Sequence, residues 1–413
     1  MREPNGESCS GQHARVHVAR LCYPRRVGSE AERLAADYIV QQFRDSGLLV
    51  RRQPFPLARG RGEWFNRAVL TACAALALVG AWAFPVVPMI SLLAWASVAM
   101  LVNLPWRGIG CFQGGSSRGP LWSENILATQ GKNPAAKARV IFMAHYDTKS
   151  QLLPTGIRVA LVTVVWFCAW LLVLLALVWL VGYWPWWMPA PPNPWNLCVV
   201  MVLCLAGLIA NFTGNQSPGA LDNGSGVAVL LELARLWQSP WPYDWEWMHQ
   251  LEVAFVATSA EETDLEGARY FLAQYAHWWK EKPTLLVNLE SVGAGPALYL
   301  SGEQNTLLWV EAMCRELGIR PRRLHVMGAS MDHQPFAAQG LRCVSILGDV
   351  VRRCFYLHTP RDDLRLVETD ALERAIRLAW YLARRWVESQ VEGCLALSYR
   401  SLRLVPTYGG IAS

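Results

Sequence analysis

Charge is missing from two long stretches of this chain. Only 17% of its 413 residues are Asp, Glu, Lys or Arg, and none falls between Arg67 and Arg107 or between Arg158 and Asp222. The first gap holds the runs 68–84 and 86–104, split by Pro85 and Pro88. The second holds 159–184 and 195–212, split by a turn rich in Pro and Trp. A fully buried helix of a soluble protein suits ~10–14 apolar residues, whereas each of these runs is near the ~20 that cross a bilayer. Trp184, Trp186, Trp187 and Trp195 fit an interfacial aromatic belt. Both turns also lack Lys and Arg. Arg51, Arg52, Arg59, Arg61 and Arg67 precede the first gap, Arg107 and Arg118 follow it, and Lys149 and Arg158 precede the second. Basic residues collect on the cytoplasmic side, so both hairpins are expected to begin and end in the cytosol.

Other absences narrow the field. Four of the 11 cysteines lie in the apolar runs and the rest show no paired spacing, which suits a reducing compartment. Residues 1–26 have no apolar core and scattered basic residues, so they read as a tail and not as a secretory signal. The net charge of +6 comes without an interleaved basic and aromatic module, so no nucleic-acid partner is expected. No internal repeat occurs beyond the two hairpins.

What is present alternates strand and helix patterns. Ser29 and Glu32 form a capping-box pattern ahead of an apolar stripe at helical spacing. Strand-like runs follow at 48–55, 125–130, 138–144, 251–257, 285–289, 298–300 and 343–347. Helical stripes occupy 307–317 and the stretch after Thr369. The run 251–257 leads into Glu261-Glu262 and then a helical stripe from Leu265 to Tyr275. Two adjacent carboxylates at a strand end repel unless they do different jobs; a cation can hold one while the other stays free as a base. Taken alone the pair also reads as a solvated acidic turn. Four more stretches place a metal-type ligand at a strand end or loop. His145 follows a strand, with Asp147 near enough to take its other ring N–H. Asp222 precedes a helix, where it could also be an N-cap. Glu290 ends a strand, and His358 lies in a loop that Pro360 terminates.

These segments, His145-Tyr146-Asp147, 219–226, Glu261-Glu262, 288–290, 332–336 and 358–362, together resemble the M28 family of zinc aminopeptidases. The resemblance covers about 27–387 apart from the two apolar insertions. It implies two zinc ions bridged by Asp222, one completed by His145 and Glu290 and the other by Glu262 and His358. Glu261 matches the general base and Asp147 the partner of His145. The chain departs from the family at Glu290, where Asp is usual, and at Met331, where Ser is usual. The interval from His145 to Asp222 is also far longer.

The expected fold is α/β: a mixed, mostly parallel central sheet flanked by helices, with two inserted transmembrane hairpins. Residues 1–26 are expected to be an N-terminal tail, 67–104 and 157–212 the hairpins, and 391–413 a C-terminal tail. The peptidase-like domain would then be discontinuous, in 27–66, 105–156 and 213–390. The resemblance implies an exopeptidase of the aminopeptidase type acting on peptides, while the apolar runs and their flanking charges predict a multi-pass membrane protein with its catalytic domain on the cytosolic side. Two alternatives stay open: a zinc acyltransferase like the glutaminyl cyclases, and an inactive membrane scaffold of the same fold. Substrate preference and oligomeric state are not legible.

Overall fold

The computed structural model describes residues 10–57, 61–102, 121–182, 193–238, 246–325 and 330–402. In chain order the elements are α1 Ser10–Leu21, α2 Glu30–Asp45, β1 Leu49–Pro56, α3 Arg61–Ala83, α4 Pro88–Val102, β2 Trp122–Thr129 and β3 Ala138–His145. Next come β4 Ser150–Gln151, α5 Thr155–Leu180, α6 Trp195–Ile209, β5 Thr213–Gly214, α7 Ser225–Gln238, α8 Glu246–His249, β6 Leu251–Thr258 and α9 Glu266–Tyr275. The chain continues with α10 Trp278–Glu281, β7 Thr284–Glu290, β8 Tyr299–Gly302, α11 Gln304–Glu316 and β9 Arg322–Arg323. It ends in α12 Gln334–Ala337, β10 Cys343–Leu347, α13 Val350–Arg353 and α14 Thr369–Leu402.

Eight strands form one sheet in the order β1-β2-β6-β3-β7-β10-β8-β9. The central strands β6, β3, β7 and β10 run parallel, while β1, β2 and β8 pair antiparallel with their inner neighbours. Every residue of β3 and β7 is buried, as expected of strands covered on both faces. Helices α1, α2, α7 and α14 share one core cluster with the sheet, and α9 packs on a second, smaller cluster.

The N-terminal segment is not a tail from Ser10 onward. Ala14, Val18 and Leu21 recur at helical spacing and are fully buried, and α1 packs on α7 and α14. The backbone N–H of Gly11 donates to Glu373 in α14 at 2.8 Å. The stripe is only three residues long and lies among exposed basic ones, so its apolar face is easily overlooked in the sequence. At the other end α14 runs on to Leu402, so a tail starting at 391 begins too early. Residues 1–9 and 403–413 lie outside the described residues.

The apolar runs form helices, and the two hairpins pack together. α4 lies on α5 and α3 on α6, which closes a ring of four helices with its own core of residues such as Leu70, Trp95, Leu172 and Met201. A Cβ on Gly80 would come within 2.4 Å of the Trp95 ring, so the α3–α4 crossing depends on that glycine. The 65–83 stretch of α3 and all of α5 are long and apolar enough to cross a membrane by length and composition. Among the described residues α4 and α6 have 15 residues each, a rise of about 22 Å. The outward face is apolar too: Trp82, Leu93, Met100, Phe167, Leu174 and Leu203 are exposed. The Trp-rich turn lies outside the described residues. At the bundle's base the Arg67 guanidinium sits 4.4 Å from the centre of the Phe212 ring.

Candidate metal centre

Three neighbouring strands deliver the site. β3 ends at His145, which is level with Thr258 at the end of β6, and β7 ends at Glu290, level with Leu347 of β10. Beyond Thr258 the chain turns through Ala260, with φ at 59°, into Glu261 and Glu262. Ser291 and His358 also hold positive φ, at 49° and 61°. Left-handed backbone on non-glycine residues costs roughly 1–3 kcal/mol each and persists where surrounding structure enforces it. Here it turns three side chains toward the same space at the carboxyl ends of the parallel strands, where ligands bind in open α/β sheets.

The geometry is centred on Asp222. Its Oδ1 lies 3.4 Å from His145 Nε2, and its Oδ2 lies 3.0 Å from His358 Nε2. Glu290 Oε1 lies 3.2 Å from the same His145 nitrogen, and Glu262 Oε1 3.1 Å from the same His358 nitrogen. Two buried groups result, His145-Asp222-Glu290 and Asp222-Glu262-His358, and in each the donor atoms lie within 4.8 Å of one another. Glu261 belongs to neither, although its Oε2 is 4.0 Å from His145 Nε2. Imidazole nitrogen with carboxylate oxygen is a donor set that zinc accepts. The residues present therefore fit two such ions sharing one carboxylate.

The supports come from far along the chain. Asp147 Oδ1 accepts from the Glu261 N–H and Oδ2 from the Glu262 N–H, both at 3.2 Å, while Oδ1 lies 3.5 Å from His145 Nδ1. One carboxylate thus orients an imidazole and both glutamates. Asp362 does the same for Asp222, accepting from the N–H of Leu221 at 2.7 Å and of Asp222 at 3.1 Å. Asn223, joined to Asp222 by a cis peptide, ties the loop to the next strand end: its Oδ1 accepts from Ser291 N and its Nδ2 donates to Leu289 O. Gly226 permits that approach, since a Cβ there would lie 2.4 Å from Leu289 O. His358 Nδ1 is 3.1 Å from both Gln151 Oε1 and Thr155 Oγ1, so the first residue of α5 touches a site imidazole.

Arg25 is the least expected support. It is fully buried, and its guanidinium donates to the carbonyls of Tyr146 and Pro218 at 2.8 Å and of Gly219 at 3.1 Å. It clamps the His145–Asp147 turn to the loop before Asp222. Burial lowers it to about 10, so it remains charged at neutral pH.

The site favours positive charge. Burial opposes ionisation of His145 and His358, yet Glu290 and Glu261 around the first and Glu262 beside the second hold both above the ordinary imidazole value. Asp222 stays well below its ordinary value despite burial, because both imidazoles bond to it. Burial drives Glu261 the other way, well above its ordinary value, with Glu262 and Glu290 adding to the shift and His145 opposing it. The Lys149 ammonium contacts Glu262 Oε2. The sequence marked Lys149 only as a flanking charge and gave Asp362, Gln151 and Thr155 no role; no local pattern marks them, because their partners are brought close only by the fold. Asp332 is fully buried beneath the site, where it accepts from Thr258 Oγ1. A cavity of about 290 Å³ opens on Asp222, Glu261, Glu262, Glu290 and His358 and is walled by the first turn of α5 and by 350–357.

Residues 204–383 match the family model Peptidase family M28. Aminopeptidase YwaD of Bacillus subtilis is 30% identical over 171 residues, 38% of this chain and 36% of the relative. A vacuolar membrane protease of Schizosaccharomyces japonicus is 27% identical over 179 residues, 42% of this chain and 20% of the relative. The matches thus span about a third or less of these relatives. In structure the chain is similar to BSAP, a zinc aminopeptidase from Bacillus subtilis, with a TM-score of 0.51, 18% identity and coverage of 90% and 93%. It is equally similar to Fimbriiglobus ruber glutaminyl cyclase, with a TM-score of 0.53, 15% identity and coverage of 94% and 97%. At such identities the likeness shows the fold, which is that of the zinc aminopeptidases. The chain is M28-like in sequence over the stretch that carries Asp222, Glu261, Glu262, Glu290 and His358.

Proposed function

We propose that this M28-like protein is a membrane-held, zinc-dependent peptidase that removes N-terminal residues from peptides. The observation that carries the proposal is the division of Asp222 between two imidazoles, each paired with one further carboxylate, while Glu261 stands beside both groups and joins neither. In this reading His145, Asp222 and Glu290 hold one ion, and Asp222, Glu262 and His358 the other. Zinc bound there would polarise the scissile carbonyl and lower the pKa of water. Glu261 takes the proton of the attacking water on its carboxylate and passes it to the leaving amine. Asp147 positions the imidazole and both glutamate backbones. Glu290 reaches one methylene further than the Asp usual in the family, and its Oε1 lies 3.2 Å from His145 Nε2.

The four-helix ring supports the membrane part of the reading. A bundle that is apolar outside as well as inside has no favourable exposed face in water. The cavity is walled by the first turn of α5, so the cleft opens where the bundle meets the catalytic layer, and peptides held near the membrane surface are its natural substrates. The same fold serves a glutaminyl cyclase, so fold alone does not choose between hydrolysis and cyclisation.

Glu261→Gln is the direct test. Hydrolysis of aminoacyl substrates should fall by roughly 10²–10⁴ while zinc content and the melting transition stay as in the wild type. Loss of zinc along with activity would make Glu261 a ligand. Turnover of N-terminal glutaminyl peptides without hydrolysis of others would select the cyclase.

A further inference from the structure

We propose that Arg158 binds a carboxylate of the substrate, and that the cleft therefore takes short peptides by both charged ends. The inference rests on the peptidase reading and adds a substrate class to it.

Arg158 belongs to the first turn of α5, inside an apolar hairpin, yet it lines the cavity that holds Asp222, Glu261 and Glu262. Only 8% of its surface is exposed, and its guanidinium makes no hydrogen bond or ion pair within 4 Å among the described residues, although Glu262, Asp222 and Glu261 attract it from further off. A buried charge is costly unless it is paired. The other cation of the cavity, Lys149, is already against Glu262. Arg158 is also held in place. Its N–H donates to Pro154 O at 3.1 Å, and the preceding turn is pressed on the 354–355 segment so tightly that a Cβ on Gly156 would lie 2.9 Å from Cys354 Sγ. A guanidinium offers a planar fork that matches a carboxylate.

The cavity is therefore bipolar. Its lining carries Asp222, Glu261, Glu262 and Glu290, which attract an amine, and also Arg158 among apolar residues such as Val159, Val350 and Leu357. Its volume, about 290 Å³, is at the small end of ligand pockets, ~300–1,000 Å³. A short peptide with free termini complements both its size and its two signs of charge. The carboxylate that reaches Arg158 has two sources, the C-terminus of such a peptide or an acidic side chain after the scissile bond.

The test uses the zinc-loaded, full-length protein in detergent with a neutral dipeptide, its C-terminal amide, and a dipeptide amide whose second residue is Glu. The wild type should prefer the free acid to the neutral amide. In Arg158→Ala that preference should collapse, mainly through a rise of roughly 10–100-fold in KM for the free acid, the usual worth of a hydrogen bond to a charged group. Arg158→Lys should restore part of it. If the wild type instead prefers only the Glu-bearing amide, and Arg158→Ala removes that preference, the carboxylate is a side chain's. A wild type that handles acid and amides alike overturns the inference whether or not the variant folds. So does an equal loss on all three in Arg158→Ala, which would make Arg158 a counter-charge to the acidic cluster. If the wild type cleaves none of these and no longer peptide, the peptidase reading itself has failed.

Discussion

Asp222 gives the sharpest consequence at the scale of single residues. If it is shared between two ions, Asp222→Ala should release both, while His358→Ala should mainly weaken one. Counting zinc per protein by atomic absorption after dialysis checks this, and one ion in the fully active wild type would reject the shared arrangement. Glu32 supplies a pH prediction. It is buried below the site, accepts from Ser123 and Ser259, and is raised by burial from its ordinary 4.5 to about 7. Between those values the folded state keeps a proton that the unfolded chain has lost. This contribution to stability is therefore full below about 4.5 and is lost as the pH rises through 7. Glu32→Gln should show a flatter dependence of melting temperature on pH across that window. The sequence marked Glu32 only as half of a capping box. Its helix-entry role was legible because it is local; its seat under the turn that leads to Glu261 was not, because Ser259 is 227 residues away. Arg25 was invisible for a related reason, since it binds backbone carbonyls, which no side-chain pattern announces.

Among elements, those with strong periodicity were the legible ones. β3, β6 and β7 are short apolar runs ending in chemistry-bearing residues, so their strand identity and the position of His145 and Glu290 at strand ends could be read directly. α1 was misread because three apolar positions among basic ones make too weak a stripe. The pairing of the two hairpins into one ring was beyond reach, since apolar runs do not say which neighbour they choose. Two glycines separate the ring's role from the site's. Gly80→Val should drive a side chain into Trp95 and lower the melting temperature, with an overpacking cost of roughly 1–3 kcal/mol, while zinc content is kept. Gly156→Val should push the first turn of α5 off Cys354 and Phe355. That turn carries Thr155 against His358, so peptidase activity should fall more than stability does. Equal effects of the two variants on activity would mean that α5 is a tether without influence on the cleft.

For the whole molecule, sidedness can be checked directly. A reporter fused after Ser413 and one before Met1 should both behave as cytosolic, and a Cys replacing Asn193 should react with a thiol reagent that cannot cross the bilayer. An exported C-terminal reporter would defeat the charge argument. In the structure one of the charges behind that argument, Arg158, has turned into the cavity, so the flanking bias is smaller than the sequence suggests. The interruption of the site by the second hairpin has a consequence for how the protein is made. His145 and Asp147 leave the ribosome before α5 and α6, and Asp222 only after them. If α5 and α6 span the bilayer as proposed, the two halves of the site meet only after the chain has gone out through it and come back. Folding of the second hairpin thus precedes closure of the site in the order of synthesis.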